Sequence, residues 1–295
     1  LWARLSARVF RSARVRDFAY GELAGYLPLR RALAQYLHAS RGIECSEDHV
    51  LITSGAQQAL DLVARVLLNR GDSVVVEDPS YPGTRDAFAL LGGGVVRAQP
   101  VDGEGLLVEG LARLRPDPRL VVVTPSHQYP LGMAMSLRRR LALIDWAGRR
   151  GAWILEDDYD GEFRFARRPL LPLRALDASQ RVLYLGTLSR VLSPSLRLGY
   201  LVMRPELVDA FVRVRALSDD APPQWTQVVV AEFLQGGHLA GHVRRMRALY
   251  AERRAALLAA ARVHWPGLLA LQCGDAGLQV TGWLAEGLRA EVVCA

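Results

Sequence analysis

Three clusters in this chain carry residue types suited to binding an anion or a positive charge. The first is Tyr184-Leu-Gly-Thr-Leu-Ser-Arg-Val-Leu-Ser-Pro-Ser-Leu-Arg-Leu-Gly-Tyr200. It places two hydroxyls, Thr187 and Ser189, close to Gly186 and in reach of Arg197. Hydroxyls donate short hydrogen bonds and a guanidinium grips a phosphate with two prongs, so this grouping suits a phosphate. The second is Ser54-Gly55-Ala56-Gln57, between an apolar run and a helical pattern. Unpaired N–H groups at a helix start attract an anion, although the same turn also serves as a plain connection. The third is Glu156-Asp-Asp-Tyr-Asp-Gly-Glu-Phe163, whose carboxylates repel one another unless something positive joins them.

The elements needed to position these clusters follow from periodicity. Short apolar runs at Val50–Thr53, Val74–Val76, Leu120–Thr124, Trp153–Leu155 and Arg181–Leu185 read as buried strands. A second strand is expected over Leu196–Met203, after a break at Gly186. Helical spacing marks residues 1–16, Leu29–Ser40 behind Pro28, the stretch after Gln58, Arg138–Gly148, Leu207–Leu217, and a long helix from about Gln227. Gly92-Gly-Gly94 reads as a turn, and the tail adds Leu269–Gln272 and Gly277–Val280. Strands alternating with helices imply an α/β fold with a mostly parallel sheet. Each cluster then sits past the carboxyl end of a strand, where such sheets bind ligands, and so does Tyr81.

Taken together, these segments resemble fold-type I enzymes that use pyridoxal phosphate (PLP), the class I/II aminotransferase superfamily. The first cluster is similar to their G-T/S-x-S-K-x-x-x-P-x-x-R-x-G segment, and Tyr20-Gly-Glu-Leu-Ala-Gly-Tyr26 to their entry loop. Thr124-Pro-Ser-His-Gln-Tyr-Pro-Leu-Gly132 resembles more specifically the T-P-S-H-Q-[FY]-P-x-G signature of MocR-type regulators of the GntR family, with Leu131 replacing the usual Thr or Ser. Phe233 to Tyr250 is similar to the run that leads into their small domain.

The resemblance implies an aspartate-aminotransferase-like fold, a sheet flanked by helices plus part of a small domain. It implies an N-terminal helical segment at 1–44, a large PLP-binding domain at 45–225, and a linking helix with a truncated small domain at 226–295. Ser54, Gly55, Ala56, Gln57, Thr187, Ser189 and Arg197 would receive the phosphate. Tyr81 would flank the ring, with His127 and Gln128 near it; for His127 a loop-fixing hydrogen bond is an equal reading. Asp157 would pair with the ring nitrogen, with Asp158 as the alternate, and Tyr159 would bond the phenolic oxygen. Arg190 stands where the family has its Schiff-base lysine.

That departure decides much. The chain contains no lysine, so all 37 basic side chains of the Lys/Arg class are arginines. A guanidinium stays protonated and is no amine nucleophile. PLP, if bound, is expected as a non-covalent ligand.

Composition narrows the alternatives. The net charge of +7 is spread over separate arginine pairs rather than one face, which argues against direct DNA binding by these residues. No run is long and apolar enough to span a membrane. Cys45, Cys273 and Cys294 are odd in number and lack metal spacing, so they read as reduced thiols of a cytoplasmic protein, with no metal site. His242 and Met246 share a helix face and read as packing or dimer contacts. The start at Leu1, without Met, and the early stop read as a piece of a longer protein.

The expected function is therefore the effector-sensing domain of a MocR-type regulator: a homodimer, responding to a small amino acid or amine, with DNA bound by another domain. The alternative is a class I/II aminotransferase, active or decayed.

Overall fold

The computed structural model describes residues 1–13, 20–90, 94–165, 170–272, 274 and 276–293. Eight strands form the main sheet: β1 (Val50–Thr53), β2 (Ser73–Asp78), β3 (Val95–Asp102), β4 (Gly105–Leu106), β5 (Leu120–Val123), β6 (Trp153–Asp158), β7 (Val182–Thr187) and β8 (Gly199–Val202). Their order is β1-β8-β7-β6-β5-β2-β3-β4. The run β3-β2-β5-β6-β7 is parallel, while β8 lies antiparallel between β7 and β1. The carboxyl ends of β1, β2, β5, β6 and β7 and the amino end of β8 thus share one edge. A small antiparallel pair, β9 (Leu269–Gln272) with β10 (Thr281–Leu284), stands apart from the sheet.

The central strands are apolar on both faces because helices cover both. Val74, Val76, Leu120, Val122, Leu155, Leu183 and Leu185 face the helices Ala56–Leu67, Pro82–Leu90 and Pro205–Ala216. The alternate residues Val75, Val121, Val123, Ile154 and Val182 pack against the helix Leu137–Arg150 and its neighbours. A third cluster, around Val50, Ile52, Tyr184 and Tyr200, is closed by the helices Trp2–Ser12, Leu27–Arg41, Gln224–Gln235 and His238–His264.

Three expectations need correction. β7 does not break at Gly186: the strand runs on to Thr187, and Gly186 pairs with Asp158 and Tyr200 in the ladder. Glycine is required there because any Cβ would overlap the Tyr200 ring. The strand expected from Leu196 begins only at Gly199, since Pro194–Leu196 forms a 3₁₀ turn. The long helix from Gln227 is two helices, starting at Gln224 and parted at Gly236-Gly237, where Gly237 takes the left-handed φ of +68°. Gly277–Val280 is loop, its first amide donating to the Phe163 carbonyl at 2.8 Å. The N-terminal helix occupies Trp2–Ser12. Arg14 to Arg16, Gly92, Gly93, Cys273 and Cys294, which figured in the sequence reading, lie outside the described residues.

Gly186→Ala is expected to destabilise the fold by about 1–3 kcal/mol, the usual range for forced overpacking of a core. Denaturant unfolding measures this; an unchanged midpoint would mean that Tyr200 can move aside.

Candidate functional site

β6 sits between β5 and β7 and carries three consecutive acids, and the pleat sends neighbours to opposite faces. Glu156 accepts the amides of Leu173 and Arg174, each at 2.9 Å, and lies 4.0 Å from the fully buried Arg140. Asp158 pairs with Arg41 and accepts the Tyr184 hydroxyl at 2.5 Å. Asp157 takes the other direction. Its Oδ1 is buried with no partner among the described residues, and the side chain lines a cavity at the sheet edge.

That cavity is lined by Ala56, Gln57, Tyr81, Thr124, Tyr129, Asp157, Tyr159, Thr187, Ser189, Arg190 and Arg197. The lining residues come from the ends of β6 and β7 and from loops and helix starts at the shared edge. The turn after β1 leads through Gly55, at φ +98°, into the helix Ala56–Leu67. A Cβ on Gly55 would press on the Arg197 guanidinium at 3.0 Å, so the glycine also makes room for that cation. Arg197 holds a left-handed φ of +48° and donates to the Ser54 carbonyl at 3.4 Å. After β7, Thr187 caps the short helix Leu188–Val191 by accepting the Ser189 amide at 3.1 Å. Ser189 accepts the Leu198 amide at 3.2 Å. The Ser189 hydroxyl keeps its own proton to give, whereas the Thr187 hydroxyl donates to the Leu198 carbonyl at 3.4 Å. His242 fixes this helix through the Val191 carbonyl at 2.9 Å, so its role is packing.

Tyr81, Tyr129 and Tyr159 form an edge-to-face row along one wall, with ring centres 5.7 and 6.2 Å apart. Behind Tyr159 lies a buried pair. His127 Nδ1 is 3.0 Å from Asp160 Oδ2 and 2.8 Å from the Tyr159 hydroxyl. Asp160 also accepts the Leu278 amide at 3.0 Å, and a Cβ on Gly277 would overlap the His127 ring. Gly277 and Leu278 are thus seated on the residues that orient Tyr159.

Most of the expected site residues meet here: Ala56, Gln57, Tyr81, Asp157, Tyr159, Thr187, Ser189, Arg190 and Arg197 line the cavity, and Ser54 and Gly55 shape its turn. His127 and Gln128 are not among the residues that line the cavity; His127 instead makes the fixing contacts with Asp160 and Tyr159 that were one of its two readings. Gln128 spans from the Pro79 carbonyl, at 2.8 Å, to the Leu131 amide, at 3.0 Å, which braces the loop. The Ser54 amide is taken by the Gln58 side chain at 2.8 Å, so that donor does not face an anion. Sequence reasoning misses Thr124, Tyr129, Asp160 and Glu77 as site residues. The first three lie within or beside the quoted motifs. Glu77 ends an apolar strand and gives no sign in sequence of being buried; it accepts the Thr124 hydroxyl at 2.6 Å.

Two carboxyls here are held well above their ordinary range. Burial, then the nearby Asp160 and Glu77 charges, push Asp157 up to about 7, opposed by Arg190. Burial likewise raises Glu77 to about 7, opposed by its bonds from Thr124 and Gln128. The Tyr159 phenol is raised by burial and by Asp160 and Asp157, so it stays a neutral donor. At neutral pH Asp157 is only partly ionised, and a nearby cation would draw it to its charged form.

A raised carboxyl pKa means the folded state holds a proton that the unfolded chain has lost. Stability therefore falls as pH rises from about 4 to about 7 and stays low above that. Asp157→Asn is expected to stabilise the ligand-free protein at pH 8 by about 1–3 kcal/mol and to change little at pH 4. Asp158→Ala, which strands buried Arg41, is expected to cost about 3–5 kcal/mol at pH 8. Urea unfolding at both pH values checks the pair; equal destabilisation would contradict the division of roles.

Comparison with known proteins agrees with this geometry. Residues 4–270 match the family model "Aminotransferase class I and II". The chain is 41% identical, over 99% of its length, to the probable rhizopine catabolism regulatory protein MocR of Rhizobium meliloti, and spans 59% of that protein. It is 33% identical to aromatic-amino-acid aminotransferase 1 of Thermococcus litoralis, over 93% of this chain and 67% of that one. Among solved structures, LysN of Thermus thermophilus, an alpha-aminoadipate aminotransferase complexed with N-(5'-phosphopyridoxyl)-L-leucine, superposes with a TM-score of 0.89 at 33% identity, covering 98% of this chain and 74% of that one. The fold is the aspartate-aminotransferase-like fold type I, and the chain belongs to the class I and II aminotransferase family.

Proposed function

We propose that this chain is the ligand-sensing part of a MocR-type transcription regulator, and that its cavity holds PLP without a covalent bond. The observation that carries this reading is Arg190, which lines the cavity of a chain that has no lysine anywhere. The 41% identity to a regulatory protein over nearly the whole chain supports the regulatory half.

The residues present fit the cofactor. The unpartnered Oδ1 of Asp157 suits a protonated ring nitrogen, whose charge would draw the carboxyl back to its ionised form. Arg197, the Thr187 and Ser189 hydroxyls and the start of the helix Ala56–Leu67 suit a phosphate. Tyr159 offers a hydroxyl to the phenolic oxygen, and Tyr81 stands at the mouth to cover the ring. Bound PLP supplies an electron-poor ring that can take up charge from an amino compound. In this chain the residues around it bind and orient; none can donate an amine to it.

A small amino acid or amine would act as the effector. DNA would be met through a further domain of the protein, and the working form would be a cytoplasmic homodimer. The aminotransferase alternative is favoured by the 33% identity to the Thermococcus litoralis enzyme across two thirds of its length. It needs an amine at position 190 or supplied from elsewhere.

Arg190→Lys separates these cases. Arg197 and a bound protonated ring would lower the pKa of the new lysine, leaving some free amine near neutral pH. Borohydride treatment of the variant with PLP is expected to leave a reduced adduct that maps to position 190 by mass spectrometry, while the wild type traps none. A variant that traps nothing would mean that position 190 does not meet the reactive aldehyde, and failure of both proteins to bind PLP would remove PLP from the account.

A further inference from the structure

The cavity contains two guanidiniums in different settings. Arg197 is tied to the Ser54 carbonyl and packs against Gly55, beside the helix start. Arg190, within the short helix Leu188–Val191, lines the same cavity. It makes no hydrogen bond or ion pair among the described residues, and its charge is felt by both Asp157 and Tyr159, lowering each against the pull of burial. It is a cation on the cavity wall, near enough to Asp157 and Tyr159 for its charge to act on both.

These placements fix which part of a pyridoxyl phosphate would meet it, given the PLP reading above on which this step rests. With the ring nitrogen at Asp157, the phenolic oxygen at Tyr159 and the phosphate at Arg197, the C4′ substituent lies between the last two, opposite the ring nitrogen. That position faces Arg190. We infer that Arg190 sorts the vitamin phosphates by what they carry at C4′, admitting an oxygen and rejecting an ammonium. A guanidinium has five donors and no acceptor, so it can bond to an aldehyde or hydroxyl oxygen. Against the aminomethyl group of pyridoxamine phosphate, protonated at neutral pH, it offers only like-charge repulsion. An amine-bearing side chain could lose its proton and adapt; a guanidinium cannot. The pocket therefore reports the aldehyde and alcohol forms and ignores the amine that transamination produces.

Pyridoxine 5′-phosphate and pyridoxamine 5′-phosphate test this cleanly. They have nearly the same shape, differ by one charge at C4′, and form no covalent bond. Calorimetric titration of the wild-type chain at pH 7.5 is expected to show the pyridoxine ester binding at least about tenfold more tightly, a modest yield for a unit like-charge contact in a partly screened site. Arg190→Gln is expected to shrink the ratio to about threefold or less, mainly by tightening the pyridoxamine ester. Arg190 is exposed, so the variant should melt with the wild type. Equal affinities in the wild type, or a ratio unmoved by Arg190→Gln, would overturn the inference while leaving the PLP pocket standing. Failure of the wild type to bind PLP or either ester would overturn both.

Discussion

A carboxyl buried in the middle of a parallel sheet must find a partner or keep its proton, and β6 places three in a row under that constraint. Glu156 and Asp158 solve it within the fold, through backbone amides near Arg140 and through Arg41 with Tyr184. Asp157 does not. Its side chain lines the cavity with an unpartnered Oδ1, and burial raises its pKa to about 7. Of the three acids, Asp157 is the one that lines the cavity, where a positively charged group would relieve its burial.

The rest of the architecture brings the other lining residues to the same edge. Because β1, β2, β5, β6 and β7 run the same way, one edge gathers the Gly55 turn, the tyrosine row, Asp157 and the short helix that starts after Thr187. Antiparallel β8 brings Arg197 to the same edge from the opposite direction. Outside this ring, His127 and Asp160 brace Tyr159, and Asp160 accepts an amide from the segment between β9 and β10. The orientation of a wall residue is therefore coupled to a distant part of the chain, a route by which ligand-dependent ordering could be passed on.

Much of this was legible in the sequence, for physical reasons. Strands buried on both faces leave continuous apolar runs, so β1, β5 and β7 could be located to within a residue or two. The pleat made Asp157 and Asp158 point apart, and the resemblance favoured Asp157. What could not be read were contacts made across the chain. Gly186 looks like a strand break, yet it is a strand residue shaped by Tyr200, fourteen positions later. His127 and Gln128 sit in a motif that resembles a ligand loop, but their partners Asp160, Tyr159 and Pro79 hold them out of the cavity lining. Glu77 gives no local sign that it shares the buried charge balance with Asp157.

The central claim is that this cavity binds PLP reversibly through Asp157, Arg197 and the hydroxyls, with no covalent bond at Arg190. The most direct measurement is a calorimetric titration of the wild-type chain with PLP, followed by exhaustive dialysis and assay of the retained cofactor. The account expects one saturable site per chain and complete loss of PLP on dialysis. No saturable binding, or PLP that survives dialysis and denaturation attached to the chain, would contradict it.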